Sequence, residues 1–123
     1  MRVAIIDDDL ALRSLLARVI RCFGFDVSVE ACDGEEALQL LGAFPADVIV
    51  TDCQMPKMDG ISLTRTLRTN GDIRPILMLS GQSDPALIQT ALKAGVTRYL
   101  SKPLNVPEFF HVLRQLTREE AAA

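Results

Sequence analysis

Five times along this chain a short apolar run gives way to a segment whose apolar residues recur at helical spacing. That alternation limits the fold more than any other feature of the sequence. Val3-Ala4-Ile5-Ile6 is the first run, and Leu12, Leu15, Leu16, Val19, Ile20 and Phe23 follow at helical spacing. Phe25 to Glu30 reads as a second strand, with Val27 and Val29 on one face. Asp33-Gly34 opens a helix carrying Ala37, Leu38 and Leu41 and ending near Gly42. Asp47 to Thr51 is a third strand that delivers Asp52 at its carboxyl end. A loop with Pro56 and Asp59-Gly60 then leads into a helix with Ile61, Leu63 and Leu67. Pro75 to Leu79 is a fourth, continuously apolar strand. Ser83-Asp84-Pro85 caps the next helix, with Leu87, Ile88, Ala91 and Leu92 as its apolar positions. Val96 to Leu100 is a fifth strand, and a last helix from about Pro107 puts Phe109, Phe110, Leu113 and Leu116 on one face.

Strands alternating with helices imply a parallel sheet covered on both faces. The continuous apolar runs of the first, third and fourth strands suit doubly buried positions, and Asp26, Ser28 and Glu30 mark the second as an edge. Right-handed crossovers make this a doubly wound (βα)5 α/β three-layer sandwich. With 123 residues and no linker or repeat, the chain is expected to be one domain over residues 1–123. The tail from Glu119 to Ala123 adds nothing that suggests another.

A sheet of this kind binds ligands outside the carboxyl ends of its strands, where strand order reverses. There the sequence puts Asp7 and Asp8 after the first strand, Asp52 after the third, Ser80 after the fourth and Lys102 after the fifth. If the first and third strands are neighbours, three carboxylates share one pocket. At ~4 Å and an effective dielectric of ~20, each pair repels by about 4 kcal/mol. A hard divalent cation relieves this, and carboxylate and carbonyl oxygens suit Mg²⁺, with Mn²⁺ able to take the same donors. A nucleophilic carboxylate, a metal, the Lys102 ammonium and the Ser80 hydroxyl are what phosphoryl transfer to an aspartate needs. Each residue alone has a plainer reading. Asp9 and Asp59 are expected as helix caps, and an isolated Lys102 would be a solvated lysine. Their joint placement at four strand ends favours the site.

Other signals exclude more than they assign. A net charge of −3 gives no footprint for direct nucleic-acid binding, and no apolar run approaches a membrane span. Cys22, Cys32 and Cys53 have no zinc spacing and read as free thiols in a reducing cytoplasm, with Cys53 a small buried residue. His111, the only histidine, is expected on the surface of the last helix and not as a phosphodonor.

At these residues the chain resembles the receiver domain of bacterial two-component response regulators, over essentially its whole length. The matching segments are Ile5-Ile6-Asp7-Asp8-Asp9, the block from Val50 to Gly60, Met78-Leu79-Ser80-Gly81 and Tyr99-Leu100-Ser101-Lys102-Pro103. The resemblance implies a flavodoxin-like sheet in the order 2-1-3-4-5. It also implies that Asp52 takes a phosphoryl group from a sensor histidine kinase or phosphotransfer protein. Asp7, Asp8, Asp52 and the backbone carbonyl of Gln54 would hold Mg²⁺. Lys102 would contact the phosphoryl oxygens, with the Lys102–Pro103 bond cis. Ser80 and Tyr99 would form the switch, and Gln54 and Gln82 would tune hydrolysis. The partner-facing surface would be the last two helices and the fifth strand.

Thr97 and Arg98 stand where winged-helix regulators of this family carry paired acids, which puts their dimer face in doubt. A stand-alone receiver is expected over the N-terminal receiver of a longer regulator. It is read as a signalling switch that assists its own phosphorylation and slow dephosphorylation, and not as an enzyme. A Mg²⁺-dependent aspartyl-phosphate phosphatase would need a second acid where Gln54 stands. A degenerate binding module would lack an acid or Lys102, and acids after the first strand would repel a flavin phosphate.

Overall fold

The sheet is built from residues that have nowhere else to go. In a computed structural model the elements run β1 (Arg2–Ile6), α1 (Leu10–Cys22), β2 (Asp26–Ala31), α2 (Gly34–Ala43) and β3 (Val48–Asp52). They continue as α3 (Gly60–Thr69), β4 (Ile76–Ser80), α4 (Pro85–Ala94), β5 (Arg98–Ser101) and α5 (Val106–Ala122). The structure describes residues 1–82 and 84–122, with side chains described through residue 117. Ser83, expected to share in capping α4, and the tail side chains from Glu119 lie outside the described residues. All strands pair parallel in the order β2-β1-β3-β4-β5, the order the resemblance implied.

Strand alternation divides the core in two. Val3, Ile5, Val48, Val50, Leu77 and Leu79 face α1 and α5, where Leu16, Ile20, Phe109 and Leu113 meet them. Ala4, Ile6, Ile49, Ile76 and Met78 face α2, α3 and α4, against Ala37, Leu41, Leu63, Leu67 and Ala91. Each fully buried aliphatic side chain contributes about 1.5–3 kcal/mol. The three central strands, buried on both faces, therefore anchor the domain.

Two local readings change. Val27 and Val29 lie on opposite faces, because the β1–β2 register shifts between Val3 and Ala4 and leaves Ser28 unmatched. Val27 packs with the α1/α5 side and Val29 with the other. The extra residue of a bulge breaks the two-residue period on which the sequence reading depended. β5 begins at Arg98, not Val96. Gly95 takes a left-handed φ of 118° and the Val96 amide bonds back to the Ala91 carbonyl at 3.1 Å, so it closes α4 instead of opening a ladder. α2 ends at Ala43, next to Gly42 as expected.

The helices turn differently from their simplest apolar stripe. In α1 the buried face is Leu16, Ala17 and Ile20, and Leu15 falls outside it at 49% exposed. In α4 only Ala91 is fully buried and Leu92 is exposed. Asp9, Asp33, Asp59 and Asp84 cap α1 to α4, each accepting from an amide of the first turn.

Candidate functional site

The carboxyl edge of the sheet gathers the acids. Asp7 follows β1 directly; its amide donates to the Ala31 carbonyl at 3.0 Å, continuing the β1–β2 ladder by one step. That bond turns the side chain into the pocket, where Asp7 is buried and its Oδ1 accepts from the Asp9 amide at 2.9 Å. Asp8 is exposed beside it. Asp52 is the last residue of β3, and its Oδ1 accepts from the Cys53 amide at 2.8 Å. Carboxylate oxygens of Asp7, Asp8 and Asp52 all lie within 4.8 Å of one another.

Lys102 arrives from the opposite side. Its amide donates to the Ser80 carbonyl at 2.7 Å, which extends the β4–β5 pairing past Ser101. The ammonium then reaches to 3.3 Å from Asp52 Oδ1 and 3.8 Å from Asp7 Oδ2. The following Lys102–Pro103 bond is cis. Both protein contacts of the Asp52 carboxylate fall on Oδ1. Among the described residues Oδ2 has no protein partner, so its lone pairs remain free.

Electrostatics in this pocket is unbalanced. Burial pushes the Asp7 carboxyl above its ordinary value, and the charges of Asp52 and Asp8 push the same way; the Asp9 amide and the Lys102 ammonium pull it back without winning. One ammonium among three carboxylates leaves excess negative charge on hard oxygen donors. That is the donor set and charge a small dication requires, so these residues fit one.

Ser80 and Tyr99, the pair expected to form a switch, are linked through one peptide segment. Ser80, the last residue of β4, is buried, and its Oγ accepts from the Gln82 amide at 3.1 Å. The half-buried Tyr99 donates its hydroxyl to the Gln82 carbonyl at 2.6 Å. Gln82 is therefore held on one side by Ser80 and on the other by Tyr99. The side chains of Gln54 and Gln82 are exposed at the rim, and Gly81 has open space around it. His111 is exposed on α5, as expected. Cys53 is buried and joins the α2–α4 core; burial first, then the charges of Asp59 and Asp52, raises its thiol, so it stays protonated.

The backbone around the site is held by residues that sequence reasoning passed over or gave a lesser part. Gly60 was expected only as a turn. A Cβ there would run into the Asp52 carbonyl oxygen, so only glycine lets α3 start this close to the end of β3. Its amide donates to the Cys53 carbonyl at 2.8 Å. Lys57 takes a positive φ of 65°, and its ammonium faces Asp33 Oδ2 at 4.0 Å. Arg13 donates to the Asp7 carbonyl at 2.7 Å. Its signal lay in the sequence, since a long side chain one turn into α1 leans back toward the helix start.

A family model described as the response regulator receiver domain matches residues 3–114. The chain belongs to that family. Phosphorylation on aspartate and Mg²⁺ binding are general features of these receivers. Response regulators named MprA from Mycolicibacterium vanbaalenii and from Mycobacterium avium are each 37% identical to this receiver over 118 residues, 96% of the chain. The match takes in 51% of each, so the chain spans about half the length of the curated relatives it matches. The receiver domain of Francisella response regulator 1452 is similar with a TM-score of 0.91 at 33% identity, over 96% of this chain and 97% of that one. The chemotaxis response regulator CheY4 of Vibrio cholerae is similar with a TM-score of 0.86 at 30% identity, over 94% and 97%. No helix among the described residues is long and apolar enough to cross a membrane.

Proposed function

We propose that this receiver accepts a phosphoryl group on Asp52 from a phosphohistidine of a sensor kinase or phosphotransfer protein. The observation that carries the reading is the Lys102 ammonium 3.3 Å from Asp52, inside a cluster of three carboxylates within 4.8 Å. A carboxylate oxygen of Asp52 attacks phosphorus; the new P–O bond forms as the P–N bond breaks, and the imidazole leaves neutral, keeping its proton on the other nitrogen. Lys102 stays beside the carboxylate and stabilises the charge that collects on the phosphoryl oxygens. Asp7, Asp8, Asp52 and the backbone carbonyl of Gln54 would hold Mg²⁺, or Mn²⁺ in its place. Bound there, the ion neutralises charge on the transferring group.

Once formed, the aspartyl phosphate offers acceptor oxygens to the Ser80 hydroxyl. Ser80 now spends a lone pair on the Gln82 amide, and Tyr99 binds the same residue's carbonyl. A phosphoryl group that engages Ser80 therefore biases the segment leading into α4, and with it the surface of α4, β5 and α5. A protein partner reads that surface, with no direct nucleic-acid contact by this domain. The same site serves a free-standing receiver and the receiver half of a longer regulator.

The protein acts as a switch that assists its own phosphorylation and slow dephosphorylation, in the cytoplasm with its kinase. Gln54 stands where a phosphatase of similar fold would need its second acid, which favours the switch over that enzyme. Gln54 and Gln82 at the rim, and the open space beside Gly81, admit water at a moderate rate. The test is intact-mass spectrometry after incubation with acetyl phosphate and Mg²⁺. A gain of one phosphoryl group, lost in Asp52→Asn and without Mg²⁺, is expected. A gain that persists in Asp52→Asn would remove the assignment.

A further inference from the structure

Arg13 makes contacts that neither helix capping nor the transfer chemistry requires. It lies in α1, one turn beyond the Asp9 cap, with its side chain only 16% exposed. One terminal nitrogen donates to the backbone carbonyl of Asp7 at 2.7 Å. Its Nε is buried and makes no hydrogen bond among the described residues, yet stands 3.6 Å from a carboxylate oxygen of Glu30 on β2. A guanidinium this enclosed is costly unless its contacts are used, and its chief hydrogen bond goes to the peptide joining Asp7 to Asp8.

That peptide decides where both acids aim. Its carbonyl is held by Arg13, the Asp7 side chain by the Asp9 amide at 2.9 Å, and the Asp9 carbonyl by the Arg13 amide at 2.9 Å. Three bonds therefore close a loop around the Asp7-Asp8-Asp9 turn, and Arg13 supplies two of them. Glu30, across on the edge strand, keeps the guanidinium charge-paired and pointed at the turn.

We propose that Arg13 is a positioning residue for the metal-binding acids, holding the Asp7–Asp8 peptide and thereby the aim of both carboxylates, with Glu30 as its anchor. The inference rests on the metal-binding reading above. Mutating partners that orient metal ligands from behind typically costs about 10–100-fold in metal affinity or activity, and Arg13, which touches no reacting atom, is assigned to affinity.

Calorimetric titration of the full chain with Mg²⁺ tests this, beside the rate of labelling by acetyl phosphate as Mg²⁺ is varied. Arg13→Ala is expected to raise the Mg²⁺ dissociation constant about tenfold, with the labelling rate at saturating Mg²⁺ close to wild type. Arg13→Lys should recover part of the loss, and Glu30→Gln should weaken binding about threefold. A folded Arg13→Ala that binds Mg²⁺ as tightly as wild type overturns the proposal. If Arg13→Ala does not fold, Arg13→Lys and Glu30→Gln decide, and wild-type affinity in both overturns it. Asp8→Asn separates the two levels: if it binds Mg²⁺ as wild type does, or if wild type binds none, the metal reading fails and this inference with it.

Discussion

The two ends of the same sheet treat charge in opposite ways. At the amino end, Arg68 of α3 donates to the Gly95 carbonyl through Nε and one terminal nitrogen, at 3.1 and 2.8 Å. It also donates to the carbonyls of Asp72 and Arg74, at 2.9 and 2.7 Å. The Asp72 carboxylate accepts from both the backbone and the side chain of Arg74. The carbonyls of Gly95, Asp72 and Arg74 and the Asp72 carboxylate each meet a donor there. At the carboxyl end, three carboxylates crowd one ammonium, and the buried Asp7 is held above its ordinary pKa. A satisfied network ties loops together and contributes stability, whereas an unsatisfied one stores repulsion that a cation or a phosphoryl group can engage. The difference separates residues kept for the fold from residues kept for the chemistry.

Substitutions at the two ends should therefore have opposite signatures. The largest effect is expected from Asp8→Asn, which should cut labelling by acetyl phosphate about 100-fold while the protein stays folded. Labelling close to wild type would show that the acid cluster is not the working end. Next comes Arg68→Ala, which leaves the carbonyls of Gly95, Asp72 and Arg74 short of donors. Chemical denaturation should show a loss of about 2–4 kcal/mol, and labelling at a temperature where the variant is folded should be unchanged. A third, smaller effect runs the other way. Without metal, Asp8→Asn relieves repulsion and should raise stability by about 1 kcal/mol, seen as a higher Tm, with the gain disappearing when Mg²⁺ is added to both proteins.

The smallest effect concerns pH. Burial raises the Asp72 carboxyl, but the Arg74 hydrogen bonds and the charges of Arg74 and Arg68 outweigh it, and the net direction is down. A carboxyl lowered in the folded state adds stability above its unfolded pKa and loses it as pH falls through the folded value. Asp72→Asn should thus destabilise by about 1 kcal/mol or less near neutrality. The gap from wild type should close as pH drops below the ordinary carboxylate range. A gap that widens on acidification would contradict the sign.

The same contrast explains what the sequence made legible. The central strands could be read because burial on both faces demands unbroken runs such as Ile76-Leu77-Met78-Leu79. The acids could be read because they follow such runs directly, where nothing else accounts for them. The misread edge strand fails for a physical reason: a single unmatched residue, Ser28, reverses the face of every residue beyond it, and no local preference marks a bulge there. Val96 misled because an apolar residue closing a helix looks like one opening a strand. Leu15 misled because apolar character is compatible with a surface position. At the site, chemistry-bearing side chains were legible and their supports were less so. The lean of Arg13 toward the helix start was readable, but its target, the Asp7 backbone carbonyl, and the close approach at Gly60 follow from three-dimensional packing.

The central claim is that Asp52, among the acids crowded at the carboxyl end, is the one that carries the phosphoryl group. Borohydride reduction of the freshly labelled protein converts an aspartyl phosphate to homoserine, and peptide mass spectrometry then locates it. The expected result is homoserine at position 52 alone, absent without Mg²⁺ or without acetyl phosphate. Homoserine at position 7 or 8, or a labelled protein with aspartate intact at 52, would contradict the account.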